Sequence, residues 1–205
     1  MPERIPTRSV GAFISLVALL LAGCGTTRIH PPADPENPAP VFLLDHGRHT
    51  SLVVSTPDGG LERYAYGDWE YYAEGRKSVR HVVAALFWST PGALGRRALE
   101  GPDTVEAVRR QVPFVIEALY ELQVERAQIE AFRARQSEIF VAAARRSYAP
   151  EAELEFVPHP REYNLGHNSN RVIADWLTEL GCEVRGWPLL ARWRIVPPQE
   201  EGPAF

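Results

Sequence analysis

The chain has 205 residues, 45% of them apolar, with 26 acidic against 22 basic side chains and a formal net charge of −4. That length suits one domain with a single substantial core. A mildly acidic balance without a basic cluster excludes a face that binds nucleic-acid phosphates.

Arg4 and Arg8 precede an apolar run from Val10 to Leu21, and small residues follow it, the order of a cleavable secretory signal. The run is about a dozen residues, short of the roughly 20 that span a bilayer. Leu20-Leu21-Ala22-Gly23-Cys24 resembles a bacterial lipobox, which implies removal of residues 1–23 and acylation of Cys24. Gly25 in the next position implies the outer membrane, so the domain is expected on its periplasmic side, partnered with the membrane through the lipid. Losing Arg4, Arg8 and Glu3 moves the net charge to −5 and leaves Cys182 without an intrachain disulfide partner. Next to Gly181, it reads as a small buried apolar residue.

Residues 24–40 comprise the acylated cysteine and a proline-rich stretch (HPPADPENPAP) expected to form an extended tether. A single α+β domain is expected over 41–197 and a flexible tail over 198–205. Val41 to Leu44 reads as a buried strand, and His49 to Thr56 as a second. Pro57-Asp58-Gly59-Gly60 is turn chemistry, and Leu61 to Tyr66 alternates as the return strand of a hairpin. Val79 to Trp88 is ambiguous between helix and strand. Thr90-Pro91 has the form of a cap and first helical residue, predicting a short helix to about Arg97. Residues 114–124 alternate as a strand. Glu125 to Arg146 places Ile129, Phe132, Gln136, Ile139, Phe140 and Ala143 near one face of a helix. A polar loop with prolines (APEAELEFVPHPRE) follows, then a second helix from Asn168-Ser169-Asn170 through Leu180, ended by Gly181. Arg192 to Val196 is a candidate last strand.

Two polar segments abut apolar elements: Asp45 to Ser51 and Asn164 to Asn170. His46 and His49 point to opposite faces of an extended strand, and the other histidines show no zinc-like spacing, so no metal site is expected. Ser169 lies at or beside a helix N-terminus, where free backbone N–H groups favour developing negative charge. That position suits a cap, and it also suits an acyl-transfer nucleophile served by a strand-borne base such as His49. Asp68 is the candidate carboxylate for orienting the base, or else a turn aspartate after Gly67. Trp69, Tyr71, Tyr72 and Trp88 are candidates to line a groove, with His46, Asn168 and Asn170 around it, or else core aromatics. No phosphate-cradling loop or dinucleotide fingerprint occurs, and no cofactor is expected.

VFLLDHGRHTSLVV (Val41 to Val54), YGDWEYY (Tyr66 to Tyr72), ALFWSTPGAL (Ala85 to Leu94) and NSNRVIADWLTELG (Asn168 to Gly181) together resemble a urease-region-associated conserved family of bacterial proteins. The resemblance implies a circularly permuted papain-like, NlpC-type architecture: a small antiparallel sheet packed with two main helices, the histidine strand preceding the nucleophile helix. In that pattern the helix begins with cysteine, and Ser169 stands at the matching position. A serine hydroxyl needs a well-placed base where a thiolate does not. The expectation is therefore an envelope lipoprotein whose papain-like domain binds peptidoglycan or lipid with little or no catalysis; a protein partner is not indicated. The alternative is an amide or ester hydrolase, or acyltransferase, with Ser169 attacking, His49 as base and Asp68 orienting.

Overall fold

The structure, a computed structural model, describes residues 25–76 and 88–198. The signal and Cys24, the ambiguous stretch up to Phe87, and residues 199–205 lie outside the described residues. The chain is mixed α+β, with ten strands and four helices among the described residues. The strands are β1 (Thr27–His30), β2 (Pro38–Asp45), β3 (Thr50–Ser55), β4 (Leu61–Asp68), β5 (Gly92–Leu99), β6 (Ala118–Glu125), β7 (Ser147–Ala149), β8 (Leu154–Pro158), β9 (Glu183–Arg185) and β10 (Trp193–Ile195). The helices are α1 (Trp69–Tyr72), α2 (Val105–Gln111), α3 (Arg126–Ala142) and α4 (Ser169–Glu179).

Seven strands form one sheet in the order β6-β2-β3-β4-β5-β8-β7, and β10-β1-β9 form a second. The large sheet is antiparallel throughout. Period-two alternation sends its apolar side chains to two different cores. Val41, Leu43, Leu52, Val54 and Tyr64 face α3 and α4, meeting Phe132, Phe140, Ile173, Trp176 and Leu177. Phe42, Leu44, Val53 and Leu61 face the other way, onto Val108 of α2 and Val112. The runs at 41–44 and 52–54 read as continuously apolar because both faces of the sheet are covered.

The central hairpin and the two main helices follow the sequence pattern, and three expectations need correction. The small sheet is a seven-stranded one, because the loop expected between the helices contains β7 and β8, which extend it beyond β5. Thr90-Pro91 opens no helix. Thr90 is bridged to Tyr163, and Gly92–Leu99 runs as β5 between β4 and β8. Glycines at 92 and 95 weaken a helix there, and a Cβ at Gly95 would overlap the Phe156 ring across the strands. Thr104 instead caps a true helix, α2, its side chain accepting from Ala107 N.

The third correction concerns residues 25–40, which are not simply a tether. Thr27 to His30 enter the small sheet, parallel to β10 and antiparallel to β9, with Thr27 and Ile29 fully buried. The prolines lie after them, and Pro38 and Pro40 already belong to β2. There β2 pairs only with β6, since its pairing with β3 begins at Val41. The missing proline N–H groups thus fall where that flank of the strand is unpaired.

Ile29 joins the main core beside α4, so Ile29→Ala should cost about 2–4 kcal/mol of stability. A urea titration that leaves the midpoint unchanged would return this segment to the status of a linker.

Candidate functional site

His49 immediately precedes β3 and Ser169 begins α4, and the fold brings them together. His49 Nδ1 lies 3.4 Å from Ser169 Oγ. The junction is held by its neighbours. Thr50 Oγ1 donates to Asn170 Oδ1 at 2.8 Å and accepts from Trp193 Nε1 at 2.9 Å. Asn170 Nδ2 donates to the carbonyls of Arg48 and Leu189, at 3.3 and 3.4 Å. Asn170 therefore satisfies both ends of its buried amide while tying α4 to the strand that carries His49.

The helix cap is Asn168, whose Oδ1 accepts from Arg171 N at 3.0 Å. Ser169 is the first helical residue and only 2% exposed. Burial, with the Arg48 charge nearby, pulls the His49 imidazole below its usual range, so it is neutral at pH 7. Its ring stands edge-on to Tyr72, 5.7 Å between centroids.

Asp68 does not orient His49. One carboxylate oxygen accepts from Tyr71 N at 2.7 Å, capping α1, and the other accepts from the Thr90 hydroxyl. A cap and a cross-strand clamp engage both oxygens, and no hydrogen bond to His49 exists among the described residues. Asp68 thereby shapes the turn that presents Tyr71 and Tyr72. Gly67 assists, because a Cβ there would overlap the Tyr72 ring.

A cavity of about 350 Å³ has His49 and Thr50 in its lining. Ser51, Arg63 and Ala65 form its floor, Tyr71, Tyr72, Leu154 and Phe156 one wall, and His46, Phe114 and Val115 another. Ser51 and Arg63 alternate onto the sheet face opposite Leu52 and Tyr64, which pack toward α4. Ser169 is not among the lining residues. Of the residues expected around a groove, His46, Tyr71 and Tyr72 line this cavity. Trp69 is instead core, 4% exposed and stacked under the Arg145 guanidinium. Asn168 and Asn170 are structural, and Trp88 is 67% exposed and outside the lining.

Ser51, Arg63, Phe114 and Phe156 were not read as site residues from the sequence. One signal for Arg63 was present: in LERYAY it shares a strand face with Leu61 and Ala65, an unusual place for a charge. His46 Nδ1 donates to the Val115 carbonyl at 3.0 Å, which leaves Nε2 as acceptor for the Ser51 hydroxyl at 2.9 Å. Arg63 Nε donates to the same Ser51 oxygen at 3.2 Å, and Nη1 to the Ala152 carbonyl at 3.3 Å. Burial, helped by the charge of Arg63 and by that of His49 once it is protonated, pushes the His46 imidazole down to about 4.

No three His, Cys, Asp or Glu side chains converge in a metal-binding group among the described residues. Cys182 is buried and its thiol is pushed up to about 12 by burial, which makes it inert. No family model, curated protein or solved structure matches the chain.

The pH dependence of stability follows from His46. Unfolded, it titrates near 6.5, and folded near 4, so below pH 6.5 the unfolded chain takes up a proton that the native protein refuses. Stability is full above pH 6.5 and falls as pH drops toward 4. His49, His159 and His167 are also held low by burial and add in the same direction. In chemical denaturation at pH 4.5 and 7, His46→Gln should remove about 2 kcal/mol of the acid-driven loss. An unchanged difference between the two pH values would show that His46 does not carry it.

Proposed function

We propose that this chain is a cell-envelope lipoprotein, anchored by acylated Cys24 to the outer membrane on its periplasmic side. Its domain is a permuted papain-like fold of the urease-region-associated type that binds a small ligand and does not cleave it. The order of elements supports the architecture: a histidine at the head of an antiparallel strand precedes a helix whose first residue faces Nδ1 of that histidine.

The observation that carries the binding reading is the placement of Ser169. The residue is 2% exposed, its hydroxyl stands 3.4 Å from the base, and it is absent from the lining of the cavity that His49 borders. A general base acts on a nucleophile at about 2.6–3.2 Å, and the nucleophile must meet its substrate. The cavity itself is mostly aromatic and aliphatic with a few converging polar groups, the composition of a ligand site, and its volume falls at the low end of the roughly 300–1,000 Å³ range for such sites. A lipid component or a fragment of peptidoglycan fits the compartment.

The alternative of a serine hydrolase or acyltransferase draws on the His49 to Ser169 distance, since apo geometries can be longer than reacting ones. Labelling of the full chain in mild detergent with a fluorophosphonate, followed by peptide mass spectrometry, separates the two readings. No adduct at Ser169 is expected. An adduct there that disappears in Ser169→Ala would overturn the binding reading in favour of catalysis.

Anchoring is tested independently. Cells fed an alkyne fatty acid should yield labelled protein in the membrane fraction, and Cys24→Ala should lose the label and fractionate as soluble protein. Label retained by that variant would sink the lipoprotein reading.

A further inference from the structure

Arg63 is 2% exposed, in the middle of β4, and makes no ion pair with any carboxylate among the described residues. A buried guanidinium without an anionic partner is costly, so its retention calls for a compensating anion. Its hydrogen bonds occupy Nε, on Ser51, and Nη1, on the Ala152 carbonyl. Nη2 makes none among the described residues, and the residue lines the cavity floor.

The surroundings preserve the charge and hold it in place. Ser51 gives its proton to His46, so its oxygen is free to accept from Arg63 Nε. Glu153, the carboxylate that acts on Arg63 through space, is engaged with Arg97. Glu151 also borders the cavity and has a partner of its own. The Phe114 ring lies 5.6 Å from the guanidinium carbon, and Tyr72 and Phe156 stack along the wall. One fixed cation at the base of an apolar chamber suits a molecule with one anionic end and an apolar body. The planar fork of N–H donors suits a carboxylate in particular.

We infer that the cavity binds a small apolar carboxylic acid, with Arg63 gripping its carboxylate and the aromatic wall covering its body. The inference rests on the binding reading above and adds the ligand class. It predicts that 3-phenylpropionate stabilises the protein and that 3-phenylpropanol, the same body without the charge, does so far less. With the full chain in a non-ionic detergent at pH 7.5 and ligands at matched free concentration, the acid should raise the melting temperature by at least about 3 °C at saturation. Arg63→Met, which keeps an unbranched apolar stem without the guanidinium, should remain folded and lose that shift. Equal shifts from acid and alcohol, no shift from either, or a folded Arg63→Met that still responds to the acid would each overturn the inference. The comparison of acid with alcohol on the unaltered protein decides the matter even if Arg63→Met fails to fold. Equal shifts leave a binding domain without a carboxylate anchor, whereas fluorophosphonate labelling of Ser169 removes the binding reading itself.

Discussion

Thr50 receives a hydrogen bond from the Trp193 indole and passes one to Asn170, and through these buried groups three distant parts of the chain are joined. Removing any member would leave its partners desolvated and unpaired, which costs more than the bonds themselves contribute. The clamp fixes where β3 begins relative to α4, and therefore how far His49 stands from Ser169. It also brings β10 against the end of the hairpin, so the small sheet and the large one share one core. The spacing of the candidate site is thus a by-product of a structural network one residue away from it.

The large sheet separates two environments that sequence order places close together. Residues 50, 52 and 54 belong to the side where α4 docks, and residues 51 and 53 to the side where α2 docks. Ser51 and Thr50 are adjacent in the chain and both border the cavity, yet their hydrogen bonds run apart, Ser51 to His46 and Arg63, Thr50 to Asn170 and Trp193. Arg63, which makes no ion pair among the described residues, lies on the α2 side with Leu61.

The central hairpin and the two long helices were legible because their patterns are local: alternation around a Pro-Asp-Gly-Gly turn, and helical periodicity closed by Gly181, which adopts φ +88°. The meeting of His49 with the start of α4 was also anticipated, through the resemblance of whole segments. Strands β1, β7, β8 and β9 escaped notice, as each has five residues or fewer and owes its existence to partners distant in sequence. Tertiary pairing overrode an apparent cap at Thr90-Pro91, where strand partners on both sides satisfy the backbone more completely than a short helix can. Asp68 reads from the sequence either as the carboxylate that orients the histidine or as a turn former, and only the fold shows that its two oxygens reach Tyr71 N and the Thr90 hydroxyl. Arg63 was hidden because a single charge in an alternating strand reads as surface until the covering face is known.

Strand β1 begins at Thr27, three positions after Cys24, and chain geometry allows at most about 3.5 Å per residue. An acyl group on that cysteine would therefore keep the small sheet within roughly 10 Å of the headgroups. Such a leash leaves almost no vertical excursion and little freedom to roll. On the lipoprotein proposal, the protein would work as a fixture of the bilayer surface, meeting whatever leaves or skirts the leaflet.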